Sequence, residues 1–202
     1  IAAMACQRSG TVRITDHGAL AVNTTPHTGR SPKDKFVVDE PSSTAQIWWD
    51  KNEKLAADKF ERLLQDVRQH LSGQAEVFVE DLFGGADPSY RLPVRFITPN
   101  AWQAMFVRNM FIRPAASELA DFEPEFTILQ APNFQCIPAI DGTNSEVVIA
   151  VSFARRLVLI AGSHYAGEIK KSVFTILNYL LPERGVLPMH CSANIGPRGD
   201  TA

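Results

Sequence analysis

The sequence predicts a mixed α/β (α+β) fold, a mixed β-sheet with helices packed against it. Three observations carry this. Short apolar or β-branched runs recur at Glu76–Phe83, Arg91–Thr98, Phe126–Gln130, Val147–Phe153 and Arg156–Ile160, the pattern of half-buried and buried strands. Helical periodicity stands between and after these runs in three places. Glycine and proline then punctuate the boundaries, at Gly73, Gly84-Gly85, Pro114 and Pro182. Strands dominate, so the helices are expected to pack on a sheet rather than on one another.

The elements follow in order. Residues 1–50 are rich in Thr, Ser, Gly and Pro and predict short strands joined by loops. Asp50-Lys-Asn-Glu53 has the form of a capping box, a short polar acceptor followed three residues later by a carboxylate. The helix it would open carries Phe60, Leu63, Leu64, Val67 and Leu71 on one stripe and stops at Gly73. Glu76–Phe83 alternates and breaks at Gly84-Gly85, and Arg91–Thr98 predicts the next strand. Ala101–Phe111 predicts a helix that ends before Arg113-Pro114. Three buried strands follow, and Gly167–Leu181 predicts the last helix.

The 202 residues are enough to bury a core and are most simply one domain, 1–202. Hydrophobic residues make up 45% and charged residues 21%, as in ordinary globular chains. A net charge of -2 gives the whole molecule no electrostatic case for binding nucleic acid or an anionic membrane. No apolar run approaches the roughly 20 residues that cross a bilayer. The first residue is Ile1, which points to a missing true N-terminus, and Ile1–Cys6 is too short for a secretory signal core. Cys6, Cys136 and Cys191 are odd in number and far apart, so they predict neither a disulfide framework nor a zinc site. A reducing cytoplasm is the default compartment.

Three segments carry candidate chemistry. In Gly167–Leu181 the apolar stripe is Ile169, Val173, Ile176, Leu177 and Leu180. At about 100° per residue, Lys171 lies roughly opposite that stripe, beside Gly167, Phe174 and Asn178, while Lys170 sits nearer the flank. Gly167 is expected to leave open space beside Lys171. Taken alone, this placement describes a solvated lysine. Under a cleft, Lys171 could bind a phosphoryl oxygen, or lose its proton beside a metal and become a nitrogen ligand.

Met189-His-Cys-Ser-Ala-Asn194 follows Pro188 and precedes Gly196-Pro197, which puts His190 near a strand end or loop. Its imidazole suits Mn²⁺, although one histidine is no metal site. Cys191 is expected to be a small buried residue, and Asp200 is a carboxylate whose distance from His190 nothing in the sequence sets. In Thr28-Gly-Arg-Ser-Pro-Lys-Asp-Lys35, Gly29 would permit close backbone approach and Pro32 would stiffen the chain after Arg30. Arg30 offers a planar fork for a carboxylate or phosphate. Without further context the same segment is a surface loop of mutually paired charges.

These segments occur in a set. Thr28–Lys35 is followed by Ala101-Trp-Gln-Ala-Met-Phe-Val-Arg-Asn-Met-Phe-Ile-Arg-Pro114, Tyr165-Ala-Gly-Glu-Ile-Lys-Lys171, Asn178-Tyr-Leu-Leu-Pro182 and Met189–Asn194. In this order they resemble ATP-dependent phosphoenolpyruvate carboxykinase, from about Gly18 to the end of the chain, in its N-terminal domain. The resemblance implies conversion of oxaloacetate and ATP to phosphoenolpyruvate, CO₂ and ADP, with Mn²⁺ or Mg²⁺ at the transferring phosphoryl group and a second divalent ion with the nucleotide. It implies that Arg30 and Tyr165 contact oxaloacetate or phosphoenolpyruvate. It implies that Lys171 and His190 are metal ligands that also approach the nucleotide γ-phosphate, and that Lys171 reaches the substrate. Some members bind an activating Ca²⁺ near the segment matching Arg108, Asn109 and Phe111, and Arg108 stands here where the family has lysine.

The resemblance also implies that the family's Gly-rich phosphate loop, its third metal-ligand carboxylate and its adenine-binding residues lie beyond Ala202, in a missing C-terminal domain. The chain by itself is then expected to lack a complete active site. Two other readings remain at this stage: a non-catalytic anion-binding module of the same fold, and a small-molecule kinase or phosphatase built on the Lys171/His190 pair.

Overall fold

A computed structural model describes residues 12–202. Cys6 and the reading of Ile1–Cys6 lie outside the described residues. Two short strands, β1 (Val12–Ile14) and β2 (Leu20–Val22), form an antiparallel ribbon in the register Val12↔Val22. The main sheet comprises β3 (Lys35–Asp39), β4 (Glu53–Ala56), β5 (Phe78–Gly84), β6 (Leu92–Thr98), β7 (Phe126–Ala131), β8 (Val148–Ser152) and β9 (Leu157–Ala161). Its seven strands run in the order β4-β3-β8-β9-β7-β6-β5. The β8–β9 and β5–β6 pairs are antiparallel and the other four are parallel, which makes the sheet mixed as expected. The helices are α1 (Ala57–Ser72), α2 (Ala101–Met110), α3 (Ala116–Leu119), α4 (Pro138–Asp141) and α5 (Gly167–Leu180).

The central strands are apolar on both faces because both faces are covered. On β8 and β9, Val148, Ala150, Leu157 and Leu159 point to one face, and Ile149, Val151, Val158 and Ile160 to the other. The first face receives Phe60, Leu63, Leu64, Val67 and Leu71 of α1, the stripe read from the sequence. Each such burial contributes about 1.5–3 kcal/mol relative to exposure. The second face receives Trp102 and Val107 of α2 and Ile169, Val173 and Ile176 of α5, with the β1–β2 ribbon beside them.

One expectation fails here. Asp50–Glu53 is no capping box, because Glu53–Ala56 is β4, paired in parallel with Phe36–Asp39 at the sheet edge. The helix starts only at Ala57, after Ala56, with no side-chain cap. Burial of Leu55 and a ladder of backbone hydrogen bonds outweigh one capping contact. The two four-residue helices α3 and α4 were not anticipated, since one turn is too short to display a period. Cys136 is buried under α1, and burial, with Asp141 and Asp34 nearby, pushes its thiol up to about 12. Among the described residues no helix is long and apolar enough to cross a membrane.

Candidate active site

Sheet register explains why two segments 130 or more residues apart meet. Lys35 opens β3 opposite Ile149, and Ile149 lies opposite Ile160. The chain entering β3 and the chain leaving β9 therefore stand at one end of the sheet. The entering chain is the Thr28–Lys35 loop and the leaving chain is the turn into α5. The loop is pinned from below. Asn144 donates its side-chain amide to the Lys33 carbonyl, and the Ser145 hydroxyl donates to Asp34 at 2.8 Å. A turn of 3₁₀ helix over Pro32–Asp34 then leads into β3. Gly29 has open space around it.

At the other side, Gly162 adopts φ +75°, and a Cβ there would collide with the Glu146 carbonyl. Only glycine fits such a turn without strain. The chain then passes through Ser163, whose hydroxyl accepts the Tyr165 N–H at 3.2 Å. The Tyr165 ring lies over Gly167, where any Cβ would strike it. The space expected beside Lys171 at Gly167 is thus filled by the tyrosine ring. His164 is held from several sides. Asn133 faces its Nε2 at 3.0 Å, Asn100 faces its Nδ1 at 3.4 Å, and Gln103 donates to its carbonyl at 2.9 Å. With an amide NH₂ against Nδ1, that nitrogen accepts, and the proton sits on Nε2 to donate to the Asn133 oxygen. Burial and the nearby charge of His27 lower the His164 pKa.

The helix phase differs from the sequence reading on its polar side. The buried arc of α5 comprises Glu168, Ile169, Ser172, Val173 and Ile176, while Leu177 and Leu180 are only partly buried. Glu168 is 1% exposed. One carboxylate oxygen accepts the Ser31 N–H at 2.7 Å, and the other lies 3.7 Å from Arg30 Nε. The second distance is that of an ion pair, longer than a hydrogen bond. Lys35 reaches the same region and donates to the Thr175 hydroxyl. Its pKa is lowered, first by burial and then by the Arg30 and Lys171 charges, against an opposing pull from Glu168. Lys171 is partly buried and Lys170 exposed. The Lys171 pKa is likewise lowered, by burial, then Arg30, then Lys170.

Arg30, Lys35, Lys171 and Glu168 thus form one charge cluster. His190 reaches this helix from the C-terminal segment, its ring 5.5 Å from that of Phe174. The Lys171 ammonium stands 5.3 Å from the same ring. Both side chains carry nitrogens of the kind that Mn²⁺ accepts, and both approach the same ring. Among the described residues no group of three or more His, Cys, Asp or Glu side chains gathers for a metal. Cys191 is exposed rather than buried, because the segment after Pro188 lies outside the sheet's two cores. Asp200 folds back over Gly196 in a tight turn bridged by Ile195 and Thr201. Arg108 pairs with Glu80 at 2.7 Å, the Asn109 amide donates to the Met105 carbonyl, and the Phe111 N–H closes the end of α2 on Val107.

Sequence reasoning missed Glu168, Lys35 and the His164 cradle. Periodicity registers apolar residues only, so it cannot show that the arginine loop covers Glu168. A cavity of about 210 Å³ lined by Ser43, Phe153, Arg156 and Tyr179 opens toward the other end of α5 and contains none of the cluster.

The comparisons with known proteins agree with one another. The family model for phosphoenolpyruvate carboxykinase, PEPCK_ATP, matches residues 1–202. The chain is 52% identical over 195 residues to the phosphoenolpyruvate carboxykinase (ATP) of Mesorhizobium japonicum, covering 96% of this chain. It is 55% identical over 194 residues to that of Thermus thermophilus and 53% identical over 191 residues to that of Geobacillus thermodenitrificans, each covering 94% of this chain. It spans 36% of the length of each of these relatives. With the family model matching the chain from end to end, the chain belongs to the ATP-type phosphoenolpyruvate carboxykinase family.

Proposed function

We propose that the chain carries the substrate-carboxylate and metal-ligand part of a cytoplasmic enzyme that converts oxaloacetate and ATP to phosphoenolpyruvate, CO₂ and ADP. The supporting observation is the ion pair of Arg30 with the buried carboxylate of Glu168, with Lys35 close enough to feel both charges and Lys171 close to Arg30 and Lys35. Three cations and one anion leave excess positive charge for an anionic substrate. In this reading residues 1–202 form one N-terminal domain. No Gly-Lys pair occurs in the 202 residues, so this segment itself holds no phosphate loop of the Gly-x-x-Gly-x-Gly-Lys kind. The chain alone would bind without turnover.

The chemistry fits these side chains. Loss of CO₂ leaves the electron pair of the broken C–C bond on an enolate, whose oxygen attacks the terminal phosphorus of ATP and releases ADP. Arg30 holds a substrate carboxylate through its fork, and the Tyr165 phenol orients the same end of the molecule. Lys171 and His190 would hold Mn²⁺, or Mg²⁺ in its place, through their nitrogens. When bound, the metal supplies positive charge against the charge that develops during transfer. Burial, then Arg30, then Lys170 lower the Lys171 pKa, a direction that would ease loss of the proton from its nitrogen beside a metal.

The test uses a protein of the relatives' full length that carries this segment, assayed for phosphoenolpyruvate formation from oxaloacetate with ATP and Mn²⁺. Turnover is expected. Arg30→Lys should lower kcat/KM for oxaloacetate by about 10- to 100-fold, because an ammonium cannot reproduce the bidentate fork. Binding of phosphoenolpyruvate without turnover would instead support an anion-binding module, and an unchanged kcat/KM in Arg30→Lys would remove Arg30 from the site.

A further inference from the structure

Glu168 has no role in the reaction as described above, yet it is the most constrained charge in the cluster. Its exposure is 1%. A glutamate in the first turn of a helix usually serves the helix dipole from the surface, and buried carboxylates are retained only with partners. The partners here come from 137 positions away in sequence. They are the backbone N–H of Ser31 at 2.7 Å and the guanidinium of Arg30 at 3.7 Å. The oxygen facing Arg30 is buried and has no hydrogen-bond partner. The carboxylate therefore holds the loop by one oxygen and attracts the arginine by charge through the other. Both contacts turn the Glu168 carboxylate toward the loop rather than toward the N–H groups of its own helix end.

We propose that Glu168 is a positioning residue for Arg30: its carboxylate clamps the arginine loop onto α5, so that the Arg30 fork is held beside Lys171. This rests on the carboxykinase reading. Arg30, Lys35 and Lys171 repel one another, and Arg30 lies close enough to depress the pKa values of both lysines. Glu168 is the counter-charge of Arg30 and also acts on Lys35, against the repulsion among the cations. A neutral residue of the same shape would keep the Ser31 hydrogen bond and lose the attraction for Arg30.

The experiment is a double-mutant cycle in the full-length protein, with Glu168→Gln, Arg30→Ala and the double variant. The readouts are the Kd of phosphoenolpyruvate by calorimetry, the KM values for oxaloacetate and ATP, and the unfolding midpoint. Glu168→Gln should weaken phosphoenolpyruvate binding by about tenfold, roughly one charge-assisted contact, and raise the oxaloacetate KM similarly. The ATP KM should move less than about twofold, because the clamp acts at the carboxylate end. On the Arg30→Ala background the same change should cost less than about twofold, since the group being positioned is gone. Glu168→Asp, which keeps the charge on a shorter arm, should recover part of the loss and carries the same cycle where Glu168→Gln folds poorly. Equal losses on both backgrounds, or no loss in Glu168→Gln, would overturn the proposal while leaving the carboxykinase reading intact. A wild-type protein that neither binds phosphoenolpyruvate nor turns over oxaloacetate overturns both.

Discussion

Lys170 and Lys171 are adjacent in sequence and differ in everything that matters for a metal. Lys170 is exposed, whereas Lys171 is partly buried, near Arg30, and 5.3 Å from the Phe174 ring that His190 also contacts. Burial and neighbouring cations favour the neutral amine, which can donate a lone pair, whereas an ammonium would be repelled by a metal. In the full-length protein, Lys171→Gln and His190→Gln should each weaken Mn²⁺ binding by about tenfold or more, and Lys170→Gln by less than about twofold. Electron paramagnetic resonance titration of Mn²⁺ reads this, with circular dichroism to confirm folding. Lost affinity in Lys170→Gln with retention in Lys171→Gln would reverse the assignment. At this scale the phase of five apolar residues kept Lys171 off the apolar stripe, but it put Lys171 farther from the core than Lys170, whereas in the structure Lys170 is exposed and Lys171 partly buried. Glu168 was not legible, because its burial comes from a loop that no local period encodes. Cys191 was misjudged for a related reason. A cysteine's usual burial is an average over folds, and this one lies outside both cores.

Among the elements, α5 couples stability and site most directly, through Gly167. Glycine inside a helix is destabilising by about 1 kcal/mol relative to alanine, so its presence in the first turn of α5 needs a reason. The reason is the Tyr165 ring, which occupies the volume a Cβ would fill. Gly167→Ala should therefore leave the unfolding midpoint unchanged or raised, while displacing Tyr165 and lowering kcat/KM for oxaloacetate by about tenfold. Urea denaturation and steady-state kinetics on one preparation separate the two effects. A drop in stability with unchanged kinetics would mean that Tyr165 does not touch substrate. Strand and helix positions were largely readable from period, because both faces of the sheet are filled and the runs are long. Boundaries set by pairing were not readable. Glu53–Ala56 has the residues of a helix entrance and becomes an edge strand because β3 offers it a ladder.

Across the whole molecule, the two faces of the sheet divide the work: α1 closes one core, and α5 closes the other while carrying the charge cluster at its start. What ties this end of the fold together is His164, whose ring and carbonyl join Asn100 before α2, Gln103 within it, and Asn133 after β7 to the entrance of α5. Nothing in the sequence marks His164, since its partners are 31 to 64 positions distant. The arrangement suits a neutral ring with one nitrogen accepting, and its pKa is lowered from 6.5 by burial and then by His27. The sign follows from proton linkage. Above the ordinary value the ring is neutral whether the chain is folded or not, and this stability is fully present. As pH falls below 6.5, the unfolded chain takes up a proton that the folded one resists, so stability is lost down to the folded-state pKa. Protonation would also replace the acceptor at Nδ1 with a donor facing the Asn100 amide, breaking that contact. Unfolding free energy measured by urea titration between about pH 7.5 and 5.5 should therefore decline on acidification, and His164→Gln should decline less steeply over the same interval. Parallel slopes for the two proteins would show that the cradle imposes no preference on the ring, and the join between α2, β7 and α5 would then have to rest on the carbonyl of residue 164 alone.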